Sequence, residues 1–178
     1  MKPSPVLVCF ALFCCVACDS TSGPSGEFSG GSGGSGGSGA GTMSARVAGE
    51  QWTASSVTVT NQTGASPILT VRGAGVLSGD PSTRTTTIEF SIANPAVGIF
   101  QLDALGVQTG SLTLQIADVG SSMVWVASPT TAGSSGTVQL TVFGAGRAVG
   151  TFSATVLPST GGATGNRSVT TGVFDVDF

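Results

Sequence analysis

The sequence predicts an all-β domain, an antiparallel β-sandwich or barrel of about nine to ten short strands, behind a disordered linker. Three observations predict it. Residues 42–178 carry 22 Thr and 17 Val but no Lys, and their only Glu are Glu50 and Glu89, so β-branched residues dominate and strong helix formers are sparse. Apolar residues alternate with polar ones along short runs, and no window shows a helical period. Gly, Ser, Pro and Asp separate the runs. A parallel sheet is disfavoured, because it needs crossover helices.

Each run has its own pattern. Thr42 to Val47 alternates and ends at a Gly49-Glu50 turn. Trp52 to Thr60 continues with Ala54, Val57 and Val59, and Ile68 to Gly73 follows a Gly64/Pro67 loop. In Arg84 to Ile92, Ile88, Phe90 and Ile92 share one face, while Thr85, Thr87, Glu89 and Ser91 share the other. Gly98 to Leu102 is short. Leu112, Leu114 and Ile116 are expected to be buried in the next strand, and Met123 to Ala127 is a continuous apolar run. Then come Thr137 to Val142 with Val138, Leu140 and Val142 inward, and Val149 to Val156 with Phe152, Ala154 and Val156 inward. Val173 to Phe178 closes the chain with Phe174, Val176 and Phe178 inward. Val119-Gly120-Ser121-Ser122 and Gly144-Ala145-Gly146 read as hairpin turns.

Upstream of this domain the composition changes twice. All four Cys lie within the first 18 residues. Lys2 precedes an uncharged apolar run, Val6 to Ala17, which is too short for the roughly 20 residues that span a bilayer. A positive start, a short apolar stretch and small residues at its end form a secretory signal peptide over residues 1–17. Its end, Cys15-Val16-Ala17-Cys18, resembles the lipobox of bacterial lipoproteins, with Cys15 where Leu usually stands. By that resemblance Cys18 is the lipidation site: it carries diacylglycerol and acyl (palmitate-type) chains and becomes the new N-terminus. Asp19 after it is similar to the inner-membrane retention signal of enteric bacteria.

Residues 18–41 then form a flexible tether. Of the 23 residues from Asp19 to Gly41, 17 are Gly or Ser. Such a segment spans about 26 Å on average, or about 80 Å at full stretch. With every Cys used upstream, the domain of residues 42–178 holds together without disulfides.

Four short patterns in the domain resemble, in order and spacing, a domain-of-unknown-function family of bacterial secreted lipoproteins. They are Gly49-Glu50-Gln51-Trp52-Thr53-Ala54, Gly98-Ile99-Phe100-Gln101-Leu102, Gly150-Thr151-Phe152-Ser153 and Thr171-Gly172-Val173-Phe174-Asp175-Val176. The family commonly has Tyr where this chain has Phe100. The resemblance implies an all-β fold and a lipoprotein, and it supplies no catalytic residue.

Composition also narrows the chemistry. The chain has no His, so the commonest general base and metal ligand is missing. Beyond the signal segment it has no Lys, so no obvious group activates its many Ser and Thr hydroxyls. Its five Arg are too few for a nucleic-acid footprint, and no nucleic-acid partner is expected. No catalytic residue, metal site or cofactor is assigned.

The candidates for ligand contact are Trp52, Asp175 and Asp177. Asp175 and Asp177 alternate onto one face and could bind calcium or act as an acid/base pair; a solvated edge-strand face is the simpler reading. Arg147 or Arg167 could pair with them. Trp52 follows a polar turn and is the better surface candidate for stacking on a sugar, whereas Trp125 reads as core. Asp80, Asp103 and Asp118 read as turn caps.

The expected protein is therefore a non-enzymatic lipoprotein, held in the cell envelope through an N-terminal lipid, on the periplasmic side or the outer surface. Its β-domain is a binding or structural module for an unknown protein or glycan ligand. A carbohydrate- or calcium-binding surface module is the alternative, and a carboxylate-pair hydrolase comes third.

Overall fold

The computed structural model describes residues 41–82, 84–103 and 108–178. The signal segment, Cys18 and all of the tether before Gly41 lie outside the described residues. The described chain is all β: β1 (Gly41–Val47), β2 (Glu50–Gln62), β3 (Ile68–Leu77), β4 (Thr85–Ala93), β5 (Gly98–Gln101), β6 (Gly110–Asp118), β7 (Ser121–Ala127), β8 (Ser135–Gly144), β9 (Arg147–Thr160) and β10 (Arg167–Asp177). Every run read from the sequence is a strand, and most extend several residues further. β10, for example, starts at Arg167 rather than Val173.

The strands run β10-β1-β2-β3-β4-β6-β7-β9, and β9 pairs back onto β10. All neighbours are antiparallel, so eight strands close into a barrel. Closure removes the open edges that a sheet of this length would otherwise expose. The two remaining strands fill a wedge. β7 meets β9 only between Val124–Val126 and Leu157–Thr160, and the first half of β9 pairs with β8 instead. β5 lies on the far side of β8, and its Gln101 bridges Thr109 just before β6.

The antiparallel order sorts the connections to two ends. Gly41 starts β1 opposite Val176, so the first described residue lies beside the end of β10. The turns Ala48–Gly49 and Val119–Gly120 and the loops 78–84 and 161–166 lie at the other end. Ala48 and Gly49, and likewise Ala145 and Gly146, have positive φ at both central positions, as a type I′ hairpin requires.

Inward-facing residues fill the barrel. Phe90 sits 4.8 Å from Phe174 and 5.8 Å from Phe152, ring centre to ring centre. Trp52, Leu69, Val71, Ile88, Leu112, Leu114 and Trp125 complete the interior, all 0–1% exposed. Bare backbone makes room for the largest rings. A Cβ at Gly73 would lie 2.8 Å from the Trp52 ring and 2.8 Å from the Met43 sulfur, and one at Gly150 would lie 2.7 Å from Phe174. Glycine is thus an interior packing residue here as well as a turn residue. Among the described residues one buried polar atom, the Thr86 hydroxyl, meets no hydrogen-bond partner.

Two inward expectations are corrected. Val142 is 45% exposed, because a bulge between Leu140 and Val142 shifts the pairing with β9 and flips the face. Phe178 is only half-buried; it stacks on Phe143 at 5.8 Å, and its N–H donates to Gly146 O. A second bulge, at Val169/Gly172 of β10, holds Thr171 at φ 47°, a left-handed backbone seldom adopted by β-branched residues.

Candidate functional site

Strand alternation places Asp175 and Asp177 together on the outer face of β10, as the sequence predicts. Pairing of β10 with β9 sets Arg147 directly opposite Asp177 and beside Asp175. Arg147 takes both oxygens of Asp175: Nε donates to Oδ1 at 2.8 Å and Nη2 to Oδ2 at 2.6 Å. That fork holds the Asp175 carboxyl below the usual carboxylate range and raises the Arg147 guanidinium. A shallow cavity of about 400 Å³ lies over Gly41, Thr42, Arg147, Asp175 and Asp177.

This geometry bears on the two chemical roles considered, through Asp175. A general acid needs a carboxyl whose pKa is raised, and that of Asp175 is lowered. A calcium ion needs six to eight oxygens, and both Asp175 oxygens are already committed to Arg147. Among the described residues no cluster of three or more His, Cys, Asp or Glu side chains could hold a metal.

Trp52 is a correction. It is 0% exposed, and its indole Nε1 donates to Thr86 O at 3.1 Å. The polar turn before it belongs to the barrel rim, but a bulge between Ala54 and Ser56 resets the alternation of β2, so that Trp52 faces the inner wall with Val57 and Val59, over the space left by Gly73. It cannot stack on a sugar. Trp125 is also inside, at 1% exposure, with Nε1 donating to Gly165 O at 2.9 Å. Its ring is covered by Arg167, whose guanidinium carbon lies 4.9 Å from the ring centre.

Two of the turn carboxylates behave as expected. Asp118 accepts from the Val119 N–H at 2.7 Å. Asp80 accepts from the N–H and the hydroxyl of Ser82 and, at 2.8 Å, from Arg84 Nε. The Ser82 hydroxyl first, then Arg84, lower the Asp80 pKa from 3.8 to about 2.

Comparison of the chain with protein-family models, with curated proteins and with solved structures finds no match. The site must therefore be read from its own geometry. That geometry contains one feature which sequence reasoning missed, a second cavity of about 260 Å³ in the barrel mouth remote from Gly41. Its charged residues, Glu50, Asp80, Arg84 and Arg167, span well over a hundred positions of sequence and come from two strand starts and one loop. No spacing rule could gather them.

Proposed function

We propose that this chain is a lipid-anchored envelope protein whose barrel is a non-catalytic binding or structural module. The observation that carries the proposal is the orientation of the barrel wall. Most of its large apolar residues point inward, with Val76, Ile99, Val142 and Val173 exposed singly, while Thr53, Thr58, Arg72, Thr151 and Arg147 cover much of the outside. A barrel that spans a membrane has the reverse arrangement, with an apolar band facing lipid. Attachment to a membrane then falls to Cys18, through the lipobox-like Cys15–Cys18 and the Gly/Ser tether that leads to Gly41. A single acyl chain binds reversibly, so the two or three chains of a lipoprotein suit a permanent anchor. Among the described residues the interior is packed with large side chains, and the cavities at Asp175 and at the mouth beside Arg167 open to the surface.

Intact-mass analysis of the full chain extracted from membranes tests the anchor. The expected product begins at Cys18 and carries the added mass of diacylglycerol and acyl chains, and Cys18→Ala abolishes both the added mass and membrane retention. A soluble product with another N-terminus would overturn the reading.

A further inference from the structure

We propose that the barrel mouth remote from Gly41 is a binding site for a small zwitterion of the amino-acid class, with Arg167 taking the carboxylate and Glu50 the ammonium group. This rests on the binding arm of the function proposed above and is independent of the lipid anchor.

The argument is a balance of charges in the cavity of about 260 Å³. Four charged residues line it, and two of them cancel. Arg84 donates to Asp80 at 2.8 Å, and the Asp80 side chain is 3% exposed. With its pKa lowered to about 2, this carboxylate stays ionised through the physiological range and the pair persists. One cation and one anion remain. Arg167 and Glu50 make no ion pair with each other or with any other described residue.

Each lies against a neighbour at the mouth. The Arg167 guanidinium lies 4.9 Å above the Trp125 ring centre, and Trp125 is itself fixed by its bond to Gly165 O. An arginine stacked on an aromatic face retains its in-plane N–H donors, which suit a carboxylate. The Glu50 carboxyl lies over Gly79: a Cβ added there would be 3.0 Å from its carbon and 3.1 and 3.2 Å from its oxygens. Bare glycine therefore gives this carboxylate its place at the rim.

Val47, Leu77 and Ile116, 1–6% exposed, supply an apolar floor for a small side chain. The cavity is below the roughly 300–1,000 Å³ of sites for drug-sized ligands, which limits the occupant to a small molecule. Barrel mouths are recurrent ligand sites because loops from several strands converge there without disturbing the core.

Calorimetric titration of the full-length, detergent-solubilised protein tests the proposal. The probes are L-alanine, propionate and ethylammonium, of which the last two each carry half of the charge pattern. Alanine is expected to bind about tenfold more tightly than either half, a difference of about 1.4 kcal/mol. Arg167→Gln and Glu50→Gln should each weaken alanine by about tenfold or more, because each leaves one ligand charge unmet. Gly79→Ala keeps every charge but displaces the Glu50 carboxylate, and should weaken alanine without affecting propionate. Circular dichroism confirms that the variants fold, and Glu50→Gln, an exposed change, leaves the test standing if Arg167→Gln does not fold. Absence of heat with any probe would overturn the site. Equal affinity for propionate and alanine would overturn the zwitterion assignment, and alanine binding unaltered by Glu50→Gln would overturn the location. None of these outcomes alters the mass of the processed N-terminus, so failure here and failure of the anchor are separable.

Discussion

The interior of the barrel and its far mouth are built from the same strands, yet they answer to different constraints. Inside, large side chains are fitted to bare backbone on the neighbouring strand, as Trp52 is to Gly73 and Phe174 to Gly150. At the mouth, charged side chains from separate loops meet around open space, and only Asp80 and Arg84 satisfy each other. The contrast shows where each kind of substitution should be felt. Interior changes should alter stability, and changes to the unpaired mouth charges should alter binding.

Removing an interior anchor gives the largest effect. Trp52→Ala empties the space above Gly73 and abandons the Trp52–Thr86 hydrogen bond. The expected loss is about 3–5 kcal/mol in chemical denaturation. A loss below about 1 kcal/mol, in the range of surface changes, would show that the Trp52 ring is not packed inside.

Overfilling is the milder form of the same test. Gly73→Ala puts a methyl group 2.8 Å from both Met43 and Trp52. The expected cost is about 1–3 kcal/mol, since a packed core absorbs an extra carbon only by shifting side chains. Recovery of stability on combining Gly73→Ala with Trp52→Phe would locate the clash on the indole.

The smallest effect belongs to the rim. The Asp80 pKa is lowered in the folded state, so its contribution is present above the unfolded value of 3.8 and is lost as pH falls towards about 2. Asp80→Asn should lower the melting temperature at pH 7 by less than Gly73→Ala does, and should remove this part of the acid decline. A variant whose melting temperature falls with acid as steeply as that of the native protein would show that Asp80 is not the group concerned.

The carboxylate pair weighed as a candidate for ligand contact, Asp175 with Asp177, lies outside this contrast. Its shared face was legible because alternation along β10 is local. The Arg147 fork was legible only as one of two options, Arg147 or Arg167, and pairing of β9 with β10 chose between them. Arg167 lies instead over Trp125.

By itself the sequence determined the strands, their inward and outward faces and several turns, because a period of two and the backbone demands of Gly-containing turns act over a few residues. It also marked the tether and the lipobox-like Cys18, which are features of composition and local order. Tertiary structure decided what depends on partners far along the chain. Closure of β9 onto β10 made a barrel rather than a sandwich. The bulge before Val142 turned an inward residue out, and the wall position of Trp52 turned a rim candidate into core. The mouth arose in the same way: strand closure brings Glu50 and Arg167 to one rim, and the separation between them along the chain carries no local signal that they will meet.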